Sequence, residues 1–174
     1  KKLLADAGFP DGKGFPKVEL VYNTNELHRV VTQAIQQMWK EKLGIQVDLA
    51  NVEWKVYLAR QSGLDYQMSR AGWIGDYVDP NTFLDMWVSG GGNNQTGWSS
   101  KRYDELIAKA GCGTPDPRER MKLLAEAEKI LVVDEAPIMP LFTYVNKGML
   151  SRKVKGWHPN ILDQHPLKAI GLER

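Results

Sequence analysis

The chain concentrates its potential chemistry in one stretch, Gly72-Trp73-Ile74-Gly75-Asp76-Tyr77-Val78-Asp79-Pro80. Glycines let another backbone approach closely, because no Cβ stands in the way. Trp73 can supply a flat apolar wall, or can simply pack into a core. The Asp76 carboxylate can accept charge-assisted hydrogen bonds from an ammonium group. Asp79, just before Pro80, reads as a turn or helix-start residue. A second reading pairs Asp76 with Asp79 as the acid and base of a carboxylate-dependent hydrolase. Two carboxylates three residues apart in a loop do not stand on opposite sides of a scissile bond, and no Gly-x-Ser-x-Gly elbow accompanies them. Gly90-Gly91-Gly92 lacks the following Lys-Ser/Thr of a phosphate-cradling loop. Catalysis is therefore disfavoured. His28, His158 and His165 are far apart and Cys112 is the sole cysteine, so no metal or cofactor is expected. His28 falls on the first turn of a long helix, beside the carboxyl end of a strand, where open α/β sheets bind ligands. A solvated helix-end histidine is the other reading of that position.

The elements that must position these residues follow from periodicity. Val18, Leu20 and Tyr22 alternate over residues 17–23 and predict a strand. Thr24 or Asn25 can cap a helix whose apolar stripe is Leu27, Val30, Val31, Ala34, Ile35, Met38 and Trp39, ended by Gly44. Ile45, Val47 and Leu49 alternate in a second strand, so strand, helix and strand form a βαβ unit with parallel strands. A short helix over 54–61 and a third strand over 65–71 lead into the Gly72 stretch. A further short helix over 81–88 and a polar, glycine-rich loop over 89–97 follow it. Ser99 is expected to cap a helix with the stripe Tyr103, Leu106, Ile107 and Ala110. Asp116 is expected to cap another, with Pro117 at its first position, Met121, Leu124, Ala127 and Leu131 inside, and Pro137 as its stop. Residues 138–151 read as strand-rich, with Pro140 confining them to an edge or an interruption.

Composition narrows the classes. Hydrophobic residues make up 43% and charged residues 25%, ordinary globular usage, and a net charge of +2 offers nothing to nucleic acid or an anionic membrane. A single cysteine excludes a disulfide within the chain. The first residue is Lys1, and the opening Lys1-Lys2-Leu3-Leu4-Ala5-Asp6-Ala7-Gly8 reads as the last turns of a helix. That suggests a piece of something longer, a processed mature terminus being the alternative.

Several stretches, in order, resemble the periplasmic solute-binding proteins that serve oligopeptide and dipeptide importers. They are the opening through Phe15-Pro16, Tyr22-Asn23-Thr24-Asn25-Glu26-Leu27-His28, Trp39-Lys40-Glu41-Lys42-Leu43-Gly44-Ile45 and Glu53-Trp54-Lys55. The most specific is Ser69-Arg70-Ala71-Gly72-Trp73-Ile74-Gly75-Asp76-Tyr77. The resemblance implies an α/β, periplasmic-binding-protein-like (type II) lobe with a βαβ unit and a mixed sheet flanked by helices. Residues 1–150 would be the second, peptide-binding lobe. Residues 151–174 would be a tail returning toward a first lobe, disordered or paired with another copy where that neighbour is absent. By that likeness Asp76 pairs with a peptide's α-ammonium, and the backbones of Gly72 and Ile74 bond the peptide main chain. Trp54 and Trp73 line side-chain pockets, while Arg70 and His28 lie near those pockets and the peptide's carboxyl end. Gln61, with Arg60 beside it, falls where the family uses a basic residue toward that carboxylate, which leaves the preferred peptide length open. The implied partners are an oligopeptide, an ABC importer permease and the missing first lobe. The implied location is the periplasm or a lipid anchor outside the cytoplasm. A murein peptide, glutathione or another small solute is the alternative cargo.

Overall fold

The computed structural model describes residues 1–145, 147–160 and 162–173; Asn146, Ile161 and Arg174, which fall in the expected strand-rich segment and tail, lie outside them. The chain divides into two compact units. One comprises Lys1–Gly72 with Gln95–Gly97, and the other Trp73–Asn94 with the residues from Trp98 onward.

The first unit is the expected βαβ unit plus one strand. After a short helix, α1 (Lys2–Asp6), come β1 (Val18–Asn23), α2 (Glu26–Leu43), β2 (Val47–Val52), α3 (Trp54–Ser62) and β3 (Met68–Ser69). The strands run parallel in the order β2-β1-β3, with Val18 opposite Val47 and Leu20 opposite Met68. In β1 the consecutive residues Leu20, Val21 and Tyr22 are all buried, so both faces of the central strand are covered. Helix α2 starts because the Asn25 carboxamide accepts from the backbone N–H groups of Leu27 and His28. It stops because Gly44 turns left-handed at φ 73°. Gln36 ties the helix to the sheet by donating to the Val47 carbonyl at 2.6 Å.

Two expectations change here. The stripe on α2 is wider than the surface that covers it: Leu27, Val30 and Met38 are exposed, and Thr32 is the helix's buried residue. The third strand shrinks to two residues because its flanks bond elsewhere. Gln67 uses its side-chain oxygen, not its backbone, to take the Glu19 N–H at 2.8 Å, and Asp65 N–H closes a turn onto the Arg60 carbonyl.

The second unit is helical. Helices α4 (Lys101–Ala108) and α5 (Pro117–Lys129) each run on into a π-helical turn, Lys109–Gly113 and Ile130–Asp134. Their apolar stripes meet, with Leu84, in a core of Tyr103, Leu106, Ile107, Ala110, Leu124, Ala127 and Leu131, while Met121 of the expected α5 stripe is exposed. Asp116 caps α5 as expected, accepting from Arg118 N–H. The residue at the start of α4 is Ser100 rather than Ser99, and its hydroxyl donates to Glu135 instead of capping. The expected helix over 81–88 appears as two 3-10 turns, Pro80–Phe83 and Asp85–Trp87. No strand forms among the described residues of 138–151. Strands of the other orientation occur instead in the tail, where β4 (Val154–Lys155) pairs antiparallel with β5 (Gly171–Leu172). The tail therefore closes on itself.

Candidate functional site

The first unit carries five of the residues singled out above, and four of them cluster where its parallel strands end. His28 follows β1, with Nδ1 3.4 Å from the Asn23 carbonyl. Burial, and then the positive charge of Arg70, push its imidazole below the usual histidine range. Arg70 follows β3; its N–H donates to the Val21 carbonyl at 2.8 Å, and its own carbonyl accepts from Tyr57 Oη at 2.8 Å. A Cβ placed on Gly72 would meet the Arg70 guanidinium at 3.4 Å, so the arginine lies back over that glycine. Trp54 begins α3, half exposed, and stacks on Tyr57 with ring centroids 5.4 Å apart. Gln61 is buried on the same helix, and its amide donates to the Ser69 hydroxyl. Neighbouring Arg60 is committed to Glu19 at 2.6 Å.

The second unit opens with the other three. Trp73, Asp76, Tyr77, Asp85 and Met86, with the glycine-rich loop 91–93, surround an open depression of about 340 Å³. Ile74 is 89% exposed. The indole N–H of Trp73 is shielded from solvent and meets no acceptor among the described residues. Asp76 is exposed, while its backbone N–H donates to the Thr82 hydroxyl at 3.0 Å. A Cβ on Gly75 would come within 3.1 Å of the Thr82 methyl and 3.2 Å of the Phe83 ring, so a larger residue there would press on both side chains.

Asp79 is the helix-start residue expected, accepting from Asn81 N–H at 2.9 Å. Sequence reasoning missed its other partner. Both carboxylate oxygens receive the Arg120 guanidinium, each at 2.8 Å. That pairing holds Asp79 below the usual carboxylate range, the backbone bond adding to it. An acid–base pair of Asp76 and Asp79 is thereby overturned, since Asp79 has neither a free oxygen nor a proton to give near neutrality. Also missed were Tyr77 and Asp85, joined by a 2.6 Å hydrogen bond on the rim of the depression. Asn81 between them donates to both, and since the stretch forms 3-10 turns rather than an α-helix, no helical periodicity marked the group.

An exposed carboxylate beside an aromatic wall can hold a cation, and exposed backbone can bond an extended chain. The comparisons agree with a binding role. Residues 1–95 match the model of the bacterial extracellular solute-binding proteins, family 5 middle region. The oligopeptide-binding protein OppA of Bacillus subtilis is 38% identical over 90% of this chain. The murein tripeptide-binding protein MppA of Escherichia coli superposes with a TM-score of 0.84 at 31% identity over 99% of the chain. Haemophilus influenzae OppA, solved with the peptide RPPGFSPFR, gives 0.81 at 34% identity over 98%. The chain spans 28% of the Bacillus protein and 33% of each of those two solved chains. The architecture is thus the α/β, type II periplasmic-binding-protein-like fold, in a family that binds solutes rather than transforming them. On the family match and these identities, the chain belongs to family 5 of the bacterial extracellular solute-binding proteins.

Proposed function

We propose that this chain is the peptide-holding lobe of an oligopeptide receptor that passes its ligand to an ABC importer permease. The observation that carries the reading is the exposed Asp76 carboxylate beside Trp73 on one open depression, in a loop whose backbone is pinned by Thr82. An α-ammonium is common to every unmodified peptide, so a carboxylate anchor gives affinity without regard to sequence. The exposed backbone of Gly72 and Ile74 offers the peptide main chain an added-strand partner. Trp54 and Trp73 supply walls for side chains. Arg70 and His28 lie toward the peptide's carboxyl end. Gln61, with its amide turned to Ser69, brings no charge of its own to that end.

Residues 1–150 make up the lobe, and residues 151–174 return toward the first lobe of the same receptor. The receptor works in the periplasm or on a lipid anchor outside the cytoplasm. Nucleic acid plays no part. A second reading, in which the cargo is a murein peptide, is favoured by the likeness to the E. coli murein tripeptide-binding protein; glutathione and other small solutes belong with it.

The test is calorimetric titration of the intact receptor with a tripeptide, its N-acetylated twin and a murein tripeptide. Binding of the free tripeptide, lost on acetylation, is expected. Equal binding of both twins removes the ammonium anchor. Binding of the murein peptide alone selects the second reading, and turnover of any of them overthrows the receptor.

A further inference from the structure

We infer that Arg120 and Asp79, acting through Thr82, are positioning residues that hold the Asp76 loop in its binding geometry; the inference rests on Asp76 being the ammonium anchor. The loop is closed on itself by a short chain of bonds. Asp76 N–H donates to Thr82 Oγ1 at 3.0 Å, and Thr82 N–H donates to the Asp79 carbonyl at 3.1 Å. Thr82 is 1% exposed, so its hydroxyl sits in a fixed place. Asp79, at the apex, is bound by both Nη atoms of Arg120 at 2.8 Å. The remaining guanidinium nitrogen, Nε, donates to the Ala110 carbonyl at 2.8 Å, and Ala110 is 1% exposed at the turn after α4.

One arginine therefore uses all three nitrogens to join the ligand loop, the α4 turn and its own helix α5. A bidentate fork fixes direction as well as distance, which a lysine at the same place cannot do. The loop needs such a tie, because Asp76 itself is exposed and Tyr77 and Val78 beside it are too. Left to its own propensity, a segment with so little buried surface samples many conformations, and an anchor that must be ordered on binding loses affinity.

A brace that merely stabilises the unit and a brace that aims Asp76 differ in one readout. The experiment measures the ratio of affinities of the intact receptor for a free-amine tripeptide and its N-acetylated twin, alongside the melting temperature. Arg120→Lys is expected to reduce that ratio by about tenfold through the free-amine peptide alone. Thr82→Val keeps the side-chain shape and Asp79→Asn keeps the acceptor for Asn81 N–H; both carry the same expectation if Arg120→Lys fails to fold. A lowered melting temperature with an unchanged ratio in the folded variants overturns the positioning role and leaves the anchor standing. A wild-type ratio near one removes the anchor, and this inference with it.

Discussion

Replacing Asp76 by Asn in the intact receptor tests how far the site is enclosed. Asparagine keeps the shape and one acceptor, and the loop's own bond runs from the Asp76 backbone to Thr82, so the substitution removes charge without unpinning the loop. In this chain Asp76 is exposed. If it stays so with peptide bound, its pair with the ammonium is a surface ion pair, worth about 1 kcal/mol or less, or up to about fivefold in Kd. If a first lobe closes over it, the ammonium is left buried opposite a neutral amide. That costs about 2–4 kcal/mol, or roughly 30- to 1,000-fold. Calorimetry with the tripeptide distinguishes the two, and the N-acetylated twin serves as the second arm of a mutant cycle, with little change expected. The enclosed value is the expected one. A loss under about fivefold that shrinks further in salt would refute enclosure, and an equal loss for the acetylated peptide would refute a specific charge pair.

At Gly44 a Cβ would lie 2.2 Å from the Asp11 carbonyl oxygen, at a φ of 73°; the left-handed backbone and the overlap with main chain predict that Gly44→Ala destabilises by about 2–5 kcal/mol in urea unfolding. Tyr103 is fully buried and donates to the Leu84 carbonyl at 2.6 Å, but that carbonyl keeps the Trp87 N–H at 3.1 Å. Tyr103→Phe therefore leaves no acceptor orphaned and should cost only about 1 kcal/mol by the same measurement. His28 is held below its ordinary value by burial and Arg70, so it favours the folded state above about pH 6.5, and that contribution fades as pH falls through the lowered value. His28→Gln should flatten stability over that acid window in a pH series of unfolding curves. A peptide carboxylate reaching Arg70 should lift His28 again, giving proton uptake below its ordinary value that calorimetry in buffers of different ionisation enthalpy would read; its absence would place the carboxyl end elsewhere.

Local chemistry was legible in the sequence. The caps at Asn25 and Asp116 and the stop at Gly44 each depend on a few adjacent residues, and each forms as expected. Strand pairing was less legible, because a ladder needs a partner that alternation does not name. Residues 138–151 carry the strand pattern, yet Pro137 and Pro140 lack the backbone N–H a ladder needs, and no strand forms among the described residues there. Exposed Leu141, Phe142, Tyr144 and Val145 show the same segment without a covering layer. Likewise Leu27, Val30 and Met38 belong to an apolar stripe that this chain leaves open. A hydrophobic pattern states what a residue would bury against, not whether that surface lies within the same 174 residues.

The site divides along the same line between local and distant causes. Gly75, Asp76 and Thr82 are close in sequence, so the glycine, carboxylate and aromatic of residues 72–80 could be read as one binding segment before any coordinates. What holds that segment still comes from Arg120, forty-one positions beyond Asp79. No periodicity links the two, and an arginine in the first turn of a helix ordinarily reads as a solvated residue. This arrangement suits the receptor proposed above, whose ligands would share a backbone and an ammonium but differ in side chains. The carboxylate proposed to meet the shared ammonium is braced by buried Thr82 and a three-way arginine. Of those proposed to meet variable side chains, Trp54 stands half exposed and the Trp73 indole N–H meets no acceptor among the described residues. Rigidity placed under the invariant part of a ligand lowers the entropy lost on binding it, while adaptable walls avoid rejecting the variable part.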